Sequence, residues 1–194
     1  MKRLLLLRHA KSDWNTDAPS DHERPLAGRG RKAAKAIGRF MALAGLVPDY
    51  AVTSSAVRAR TTLALAMEAG DWTCPVNTTR DLYQAGVDDV LRLVGESSDP
   101  DASVLIVGHQ PTWGGVVESL TGATSRMATG TLVGIDLAMN SDLLDIDGEL
   151  IQIELRSMAS EYVQGSDGAA EIQETMERLS EPDYLMDFSD ESKT

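Results

Sequence analysis

The stretch Arg3-Leu4-Leu5-Leu6-Leu7-Arg8-His9 packs four consecutive leucines between cations. An apolar run this short, with an abrupt polar stop, suits a strand covered on both faces, as in a parallel sheet. Such a strand needs a layer of helices above and below it. The residues that follow supply the alternation. Residues 9–27 carry Asn15, Asp17, Pro19, Ser20 and Pro25 and read as a loop. Ala33, Ala34, Ile37, Phe40, Met41 and Ala44 fall at helical spacing, which predicts a helix from Gly30 to Leu43 with Gly45 as its C-terminal cap. Tyr50–Thr53 reads as a short strand and Ala56–Ala69 as a helix closed by Gly70. Val76–Thr78 suits an edge strand. Val87–Val94 suits a short helix, with Asp88 and Asp89 favourably placed in its first turn. Ser103–Val107 is a second buried strand, and Pro111 opens a helix to Leu120. Thr131–Ala138 and Glu149–Arg156 read as a hairpin turning at Asp147-Gly148. This order predicts an α/β fold, a three-layer sandwich with a mainly parallel central sheet flanked by helices.

The 194 residues fit one domain with a tail. Of the net charge of −12, residues 161–194 hold −8, from ten acidic and two basic side chains. We therefore read residues 1–160 as the folded domain and 161–194 as an acidic tail, partly helical or disordered. The acidic balance argues against nucleic-acid binding, which rests on Lys and Arg neutralising phosphates. No run of 18 apolar residues exists, so no transmembrane helix and no membrane partner are expected. The single cysteine, Cys74, excludes an internal disulfide and points to a cytoplasmic setting. The first forty residues are basic, which keeps an anionic substrate in play.

In open α/β sheets, ligands bind beyond the carboxyl ends of the strands. Arg8-His9, Ser54-Ser55 with Arg58, and Gly108-His109 all follow predicted strands at that end. An imidazole has a reference pKa of about 6.5 and is a competent nucleophile near neutral pH. A guanidinium fork matches the oxygens of a phosphoryl group. Each segment has an ordinary structural explanation alone: a histidine bonded to a backbone carbonyl, an arginine on a solvated helix face, a simple strand-to-helix turn. Together they describe an anion site.

Arg8-His9, Asn15, Arg24-Pro25-Leu26 with Gly30, Ser54-Ser55 with Arg58 and Thr61-Thr62, and Gly108-His109 follow one another in an order that resembles the histidine phosphatase, or phosphoglycerate-mutase-like, superfamily. Ala10-Lys11-Ser12 and Gly108-His109-Gln110-Pro111 look most like its SixA-type phosphohistidine phosphatase branch. The resemblance spans roughly residues 1–156. It implies that His9 is the nucleophile and that Arg8, Arg58 and a protonated His109 hold the phosphoryl oxygens. Asn15 would add a hydrogen bond. Arg24 would lie at the pocket rim or in a salt bridge to an acid such as Asp21. No metal and no cofactor are implied. The three histidines, His9, His22 and His109, form no metal-binding motif with carboxylates.

Larger relatives protonate the leaving group with a glutamate, but Gln84 stands in the corresponding stretch Arg80–Ala85. Asp81, Asp13, Asp17, Asp21 and Glu23 are the carboxylates left to serve. An alkoxide needs such help, since its conjugate acid lies near water's pKa of about 15.7. An imidazole of pKa about 6.5 leaves more readily. The expected function is thus a phosphatase acting on protein phosphohistidine through a phosphohistidine enzyme intermediate. The alternatives are a small-molecule phosphomonoesterase on the same fold and a non-catalytic phosphate-binding domain.

Overall fold

A computed structural model of the chain describes residues 2–95, 102–139 and 146–153. The strands are β1 (Lys2–Arg8), β2 (Tyr50–Ser54), β3 (Val76–Thr79), β4 (Ser103–Gly108), β5 (Leu132–Met139) and β6 (Ile146–Ile153). They form one sheet in the order β3-β2-β4-β1-β5-β6. The β2–β3, β2–β4 and β1–β4 pairings are parallel, and the β1–β5 and β5–β6 pairings antiparallel. The helices are α1 (Gly28–Leu43), α2 (Val57–Gly70), α3 (Val87–Gly95) and α4 (Thr112–Thr121). Among the described residues no helix is long and apolar enough to cross a membrane.

The four leucines of β1 explain the layers. Side chains alternate across a strand, so Leu4 and Leu6 enter one core with Val90, Val94, Trp113, Val116 and Val117 of α3 and α4. Leu5 and Leu7 enter the other with Ile37, Phe40 and Met41 of α1 and Ala59, Leu63 and Ala66 of α2. All four leucines are fully buried, each worth roughly 1.5–3 kcal/mol relative to exposure. β3, by contrast, is an exposed edge strand, as its polar sequence Val-Asn-Thr-Thr anticipates.

Two turns differ from expectation. Gly70 does not cap α2; it is the helix's last residue, and Asp71 takes the left-handed cap with φ of 53°. Gly70 is needed for close approach, since a Cβ there would stand 2.3 Å from the Gly38 carbonyl oxygen. Asp147-Gly148 is likewise no turn. Both residues lie inside β6, opposite Ala138 and Leu137. The connection 140–145, the acidic segment 161–194 and the rest of 154–160 lie outside the described residues.

Candidate active site

β1 and β4 end side by side. Arg8 pairs with Gly108, and the His9 N–H donates to the Gly108 carbonyl at 3.0 Å. His9 and His109 therefore leave the sheet together, their ring centroids 5.1 Å apart. Gly108 permits this turn, because a Cβ would meet the buried Trp113 ring at 2.6 Å. β2 ends on the other side of β4 at Ser54, whose Oγ lies 2.9 Å from His109 Nε2. α2 starts just beyond and carries Arg58 Nε to 3.2 Å from His9 Nε2. Convergence at the carboxyl ends of three strands follows from their parallel arrangement.

His9 Nδ1 lies 2.8 Å from the Ala10 carbonyl oxygen. A carbonyl only accepts, so the ring proton sits on Nδ1 and Nε2 keeps its lone pair. Burial pushes the His9 pKa down to about 3, assisted by His109, Arg58 and Arg8 and opposed by the Ala10 carbonyl. His9 Nε2 is thus unprotonated at neutral pH. The Ala10 N–H donates to Thr62 Oγ1 at 3.0 Å, and the Thr62 hydroxyl donates to the Arg58 carbonyl at 2.7 Å. Thr62 so ties the residue after His9 to the helix that carries Arg58.

His109 differs from the sequence expectation. Burial first, and then Arg58, Arg8 and His22 against the opposing Asp21, lower its pKa to about 4. In the free site it is neutral rather than protonated. Ser54 Oγ accepts the Ala56 N–H at 3.3 Å and shares a hydrogen bond with His109 Nε2 whose direction follows the tautomer of the ring. His109 Nδ1 is a buried polar atom without a partner among the described residues. Arg8 donates from Nη1 to the Met127 carbonyl at 2.6 Å, and its Nε is also buried and without a partner among the described residues. Unmatched buried donors are costly unless a ligand completes them.

Arg58 reaches past His9 to the loop before α1. Its Nη1 donates to the Asp21 carbonyl at 2.6 Å and its Nη2 to Asp21 Oδ2 at 2.9 Å. Burial alone would raise the Asp21 carboxyl, but Arg24, Tyr83 and Arg58 bring it down to about 2. Arg24 binds Asp21 Oδ1 from Nη2 at 2.7 Å, donates to Ser12 Oγ and stacks on the Trp14 ring at 3.6 Å. Of its two sequence readings, the salt bridge to Asp21 is the one present. Asn15 is exposed on the same loop, its backbone N–H bonded to Asp13 Oδ1 at 2.9 Å. Trp14 itself is 70% exposed.

Two further residues join the site without having been singled out for it. Tyr83 donates to Asp21 Oδ2 at 2.9 Å and meets the rings of His109 and His22 edge-on, at 5.7 and 4.9 Å. His22 lies between Glu23 Oε1 and Ser55 Oγ, each 2.8 Å from a ring nitrogen. Its carbonyl accepts the Val57 N–H at the start of α2. Tyr83 falls in the stretch read for a missing glutamate, one residue before Gln84, so attention to that stretch could have found it. Nothing in the local pattern of His22, set between Asp21 and Glu23, marks it off from a solvated loop residue.

The family model for the histidine phosphatase superfamily (branch 1) matches residues 4–129. An uncharacterized protein of Mycobacterium leprae is 31% identical over 156 residues, covering 78% of this chain and 94% of that relative. An uncharacterized chloroplastic protein of Arabidopsis thaliana is 30% identical over 138 residues, 66% of this chain, and the match spans 63% of that relative's length. Among solved structures, a candidate phosphohistidine phosphatase SixA from Nakamurella multipartitia superposes with a TM-score of 0.66 at 29% identity, covering 79% of this chain and 95% of that one.

Proposed function

The chain belongs to the histidine phosphatase superfamily, and from that premise we propose that this phosphatase works through a phosphohistidine on its own His9 and takes its phosphoryl group from protein-borne phosphohistidine in the cytoplasm. The observation that carries the reading is the state of His9. Its Nδ1–H is spent on Ala10, and its Nε2 lone pair faces Arg58 at 3.2 Å.

The reaction divides in two. His9 Nε2 attacks phosphorus, and the bond to the leaving group breaks with its electron pair going to that group. Water then attacks the phosphoryl group, and the pair of the P–N bond returns to His9 Nε2. Both transition states spread negative charge over three oxygens, which calls for positioned donors rather than covalent chemistry. Arg8 Nε and Arg58 supply fixed positive charge. A neutral His109 with its ring proton on Nδ1, the tautomer in which Nε2 accepts from Ser54, would add a hydrogen bond.

The phosphohistidine preference rests on the leaving group. The stretch Arg80–Ala85 offers the site a tyrosine, while Asp81 turns away to Thr79 Oγ1 at 2.9 Å. Asp21 is ionised by its arginines, so it has no proton to give an alkoxide. A protonated imidazole leaves without such a gift. The SixA-like relative named above supports the same class.

The test has two parts, both run with a chelator present. Labelled substrate should leave an acid-labile, alkali-stable phosphoenzyme that His9→Ala abolishes. A phosphohistidine peptide should exceed phosphoserine peptide and sugar phosphates in kcat/KM by at least about tenfold, or roughly 1.4 kcal/mol of transition-state discrimination. Label that persists in His9→Ala refutes the nucleophile. A sugar phosphate that matches phosphohistidine makes the protein a general phosphomonoesterase instead.

A further inference from the structure

We propose that Asp21 is a catalytic residue, the general base that takes the proton from the water that hydrolyses phospho-His9. The inference rests on the phosphohistidine route above and deepens it.

Five carboxylates were open for proton transfer, and contacts separate them. Asp13 is bonded to the Asn15 N–H, Glu23 to His22, and Asp81 to Thr79. Asp17 is exposed on the loop. Asp21 alone among these five is in recorded contact with Arg58, which in turn touches the nucleophile. One guanidinium thus spans from His9 Nε2 to Asp21 Oδ2. A phosphoryl group on His9 Nε2 would lie against that guanidinium, whose Nη2, next to the Nε that meets His9, carries the Asp21 carboxylate. The far side of phosphorus is where an in-line water must enter.

Three further contacts hold the carboxylate there. Arg24 clamps Oδ1 from Nε at 3.0 Å and Nη2 at 2.7 Å, and the Tyr83 hydroxyl donates to Oδ2. Arg58 also grips the Asp21 main-chain carbonyl at 2.6 Å. Arg24 and Tyr83 are therefore positioning residues. The side chain is still about half exposed, at 49%, so water has access to it.

In the free site Asp21 is a weak base. Binding changes that. When Arg58 turns to the phosphoryl oxygens, Asp21 loses part of its cationic field and gains an anionic neighbour. Both raise its proton affinity as the water's proton becomes available. The balance is complete: the water oxygen forms the new P–O bond, the P–N bond breaks toward His9 Nε2, and one water proton passes to Asp21 and then to phosphate. His9 returns to its neutral form with its Nδ1–H still donating to the Ala10 carbonyl.

p-Nitrophenyl phosphate is the probe, because p-nitrophenolate leaves without a proton and the first half-reaction is then blind to Asp21. The full-length wild type and Asp21→Asn are loaded with labelled probe, chased with excess unlabelled probe, and the decay of acid-labile label is followed. Asp21→Asn should still form phosphoenzyme but lose it at least about 100-fold more slowly, the low end of general base catalysis. Asp21→Glu should recover part of the decay rate. Removal of the carboxylate charge should also tighten binding of inorganic phosphate, an effect opposite to that of a merely loosened site. Decay within about twofold of wild type, or faster, would make Asp21 only a competitor for Arg58 and overturn the inference. Loss of formation and decay together in Asp21→Asn would assign it a structural role and overturn it too. If the wild type itself forms no phosphoenzyme, the phosphohistidine route fails first, and the base with it.

Discussion

His9 and His109 hold protons poorly because they are buried beside arginines, and this has a consequence for stability. Their pKa values in the fold lie near 3 and 4, against about 6.5 in an unfolded chain. Below pH 6.5 the unfolded state takes up protons that the folded state refuses, so acid favours unfolding. The loss is expected to build as pH falls from about 6.5 toward 4. Asp21 does not offset it in that window. Its folded pKa is depressed to about 2, so its contribution is present above the ordinary carboxylate range and fades only as pH falls below it. Urea unfolding at pH 7 and pH 5 should show the wild type weaker at pH 5, with His109→Asn narrowing the difference. A variant as pH-sensitive as the wild type would place the sensitivity elsewhere. At this scale the sequence identified His9, Arg8, Arg58 and His109 as a group. It could not assign the protonation of His109, since desolvation depends on what packs around the ring.

At the scale of elements, β1 and the crossing of α1 with α2 decide the shape. Leu5→Ala in β1 should cost about 2–5 kcal/mol, the range for a deleted core leucine. The helix crossing tests a balance of two effects. Alanine is a better helix former than glycine by about 1 kcal/mol. At Gly38, however, a Cβ would stand 1.9 Å from the Ala66 carbonyl oxygen, a backbone atom that cannot swing away. Overpacking of this kind costs about 1–3 kcal/mol or more, so Gly38→Ala should lower stability in urea unfolding. Gly28→Ala, where a Cβ meets nothing within 4 Å, should not. Equal and favourable effects at both positions would show that the helices do not touch there. The 3.6-residue spacing in α1 and the alternating burial in β1 were legible in the sequence. The reason for Gly70 was not, because its partner Gly38 lies 32 positions away and only the crossing brings them together.

For the molecule as a whole, the described sheet carries its site on β1, β2 and β4, with β5 and β6 extending it on the far side of β1. Residues 161–194 hold two-thirds of the net charge. A chain ending at Ser160 is expected to stay soluble, keep its unfolding midpoint and turn over phosphohistidine at the wild-type rate. A midpoint lowered by several degrees would show that the acidic segment packs on the domain.

The sequence by itself determined the α/β class, the order of elements and the four residues that the strand ends bring together. These follow from local periodicity and from motifs at strand ends, which are short-range information. Only the tertiary structure decided that Asp21 faces Arg58, that Tyr83 and His22 border the site, and that Arg24 supports Asp21. The loop of residues 9–27 has no repeating pattern to read. Its course is fixed by distant partners: Leu26 pairs with Ser12, the His22 carbonyl accepts from Val57, and the Asp21 carbonyl accepts from Arg58. Those contacts exist only once β1 and α2 are already packed on the same sheet.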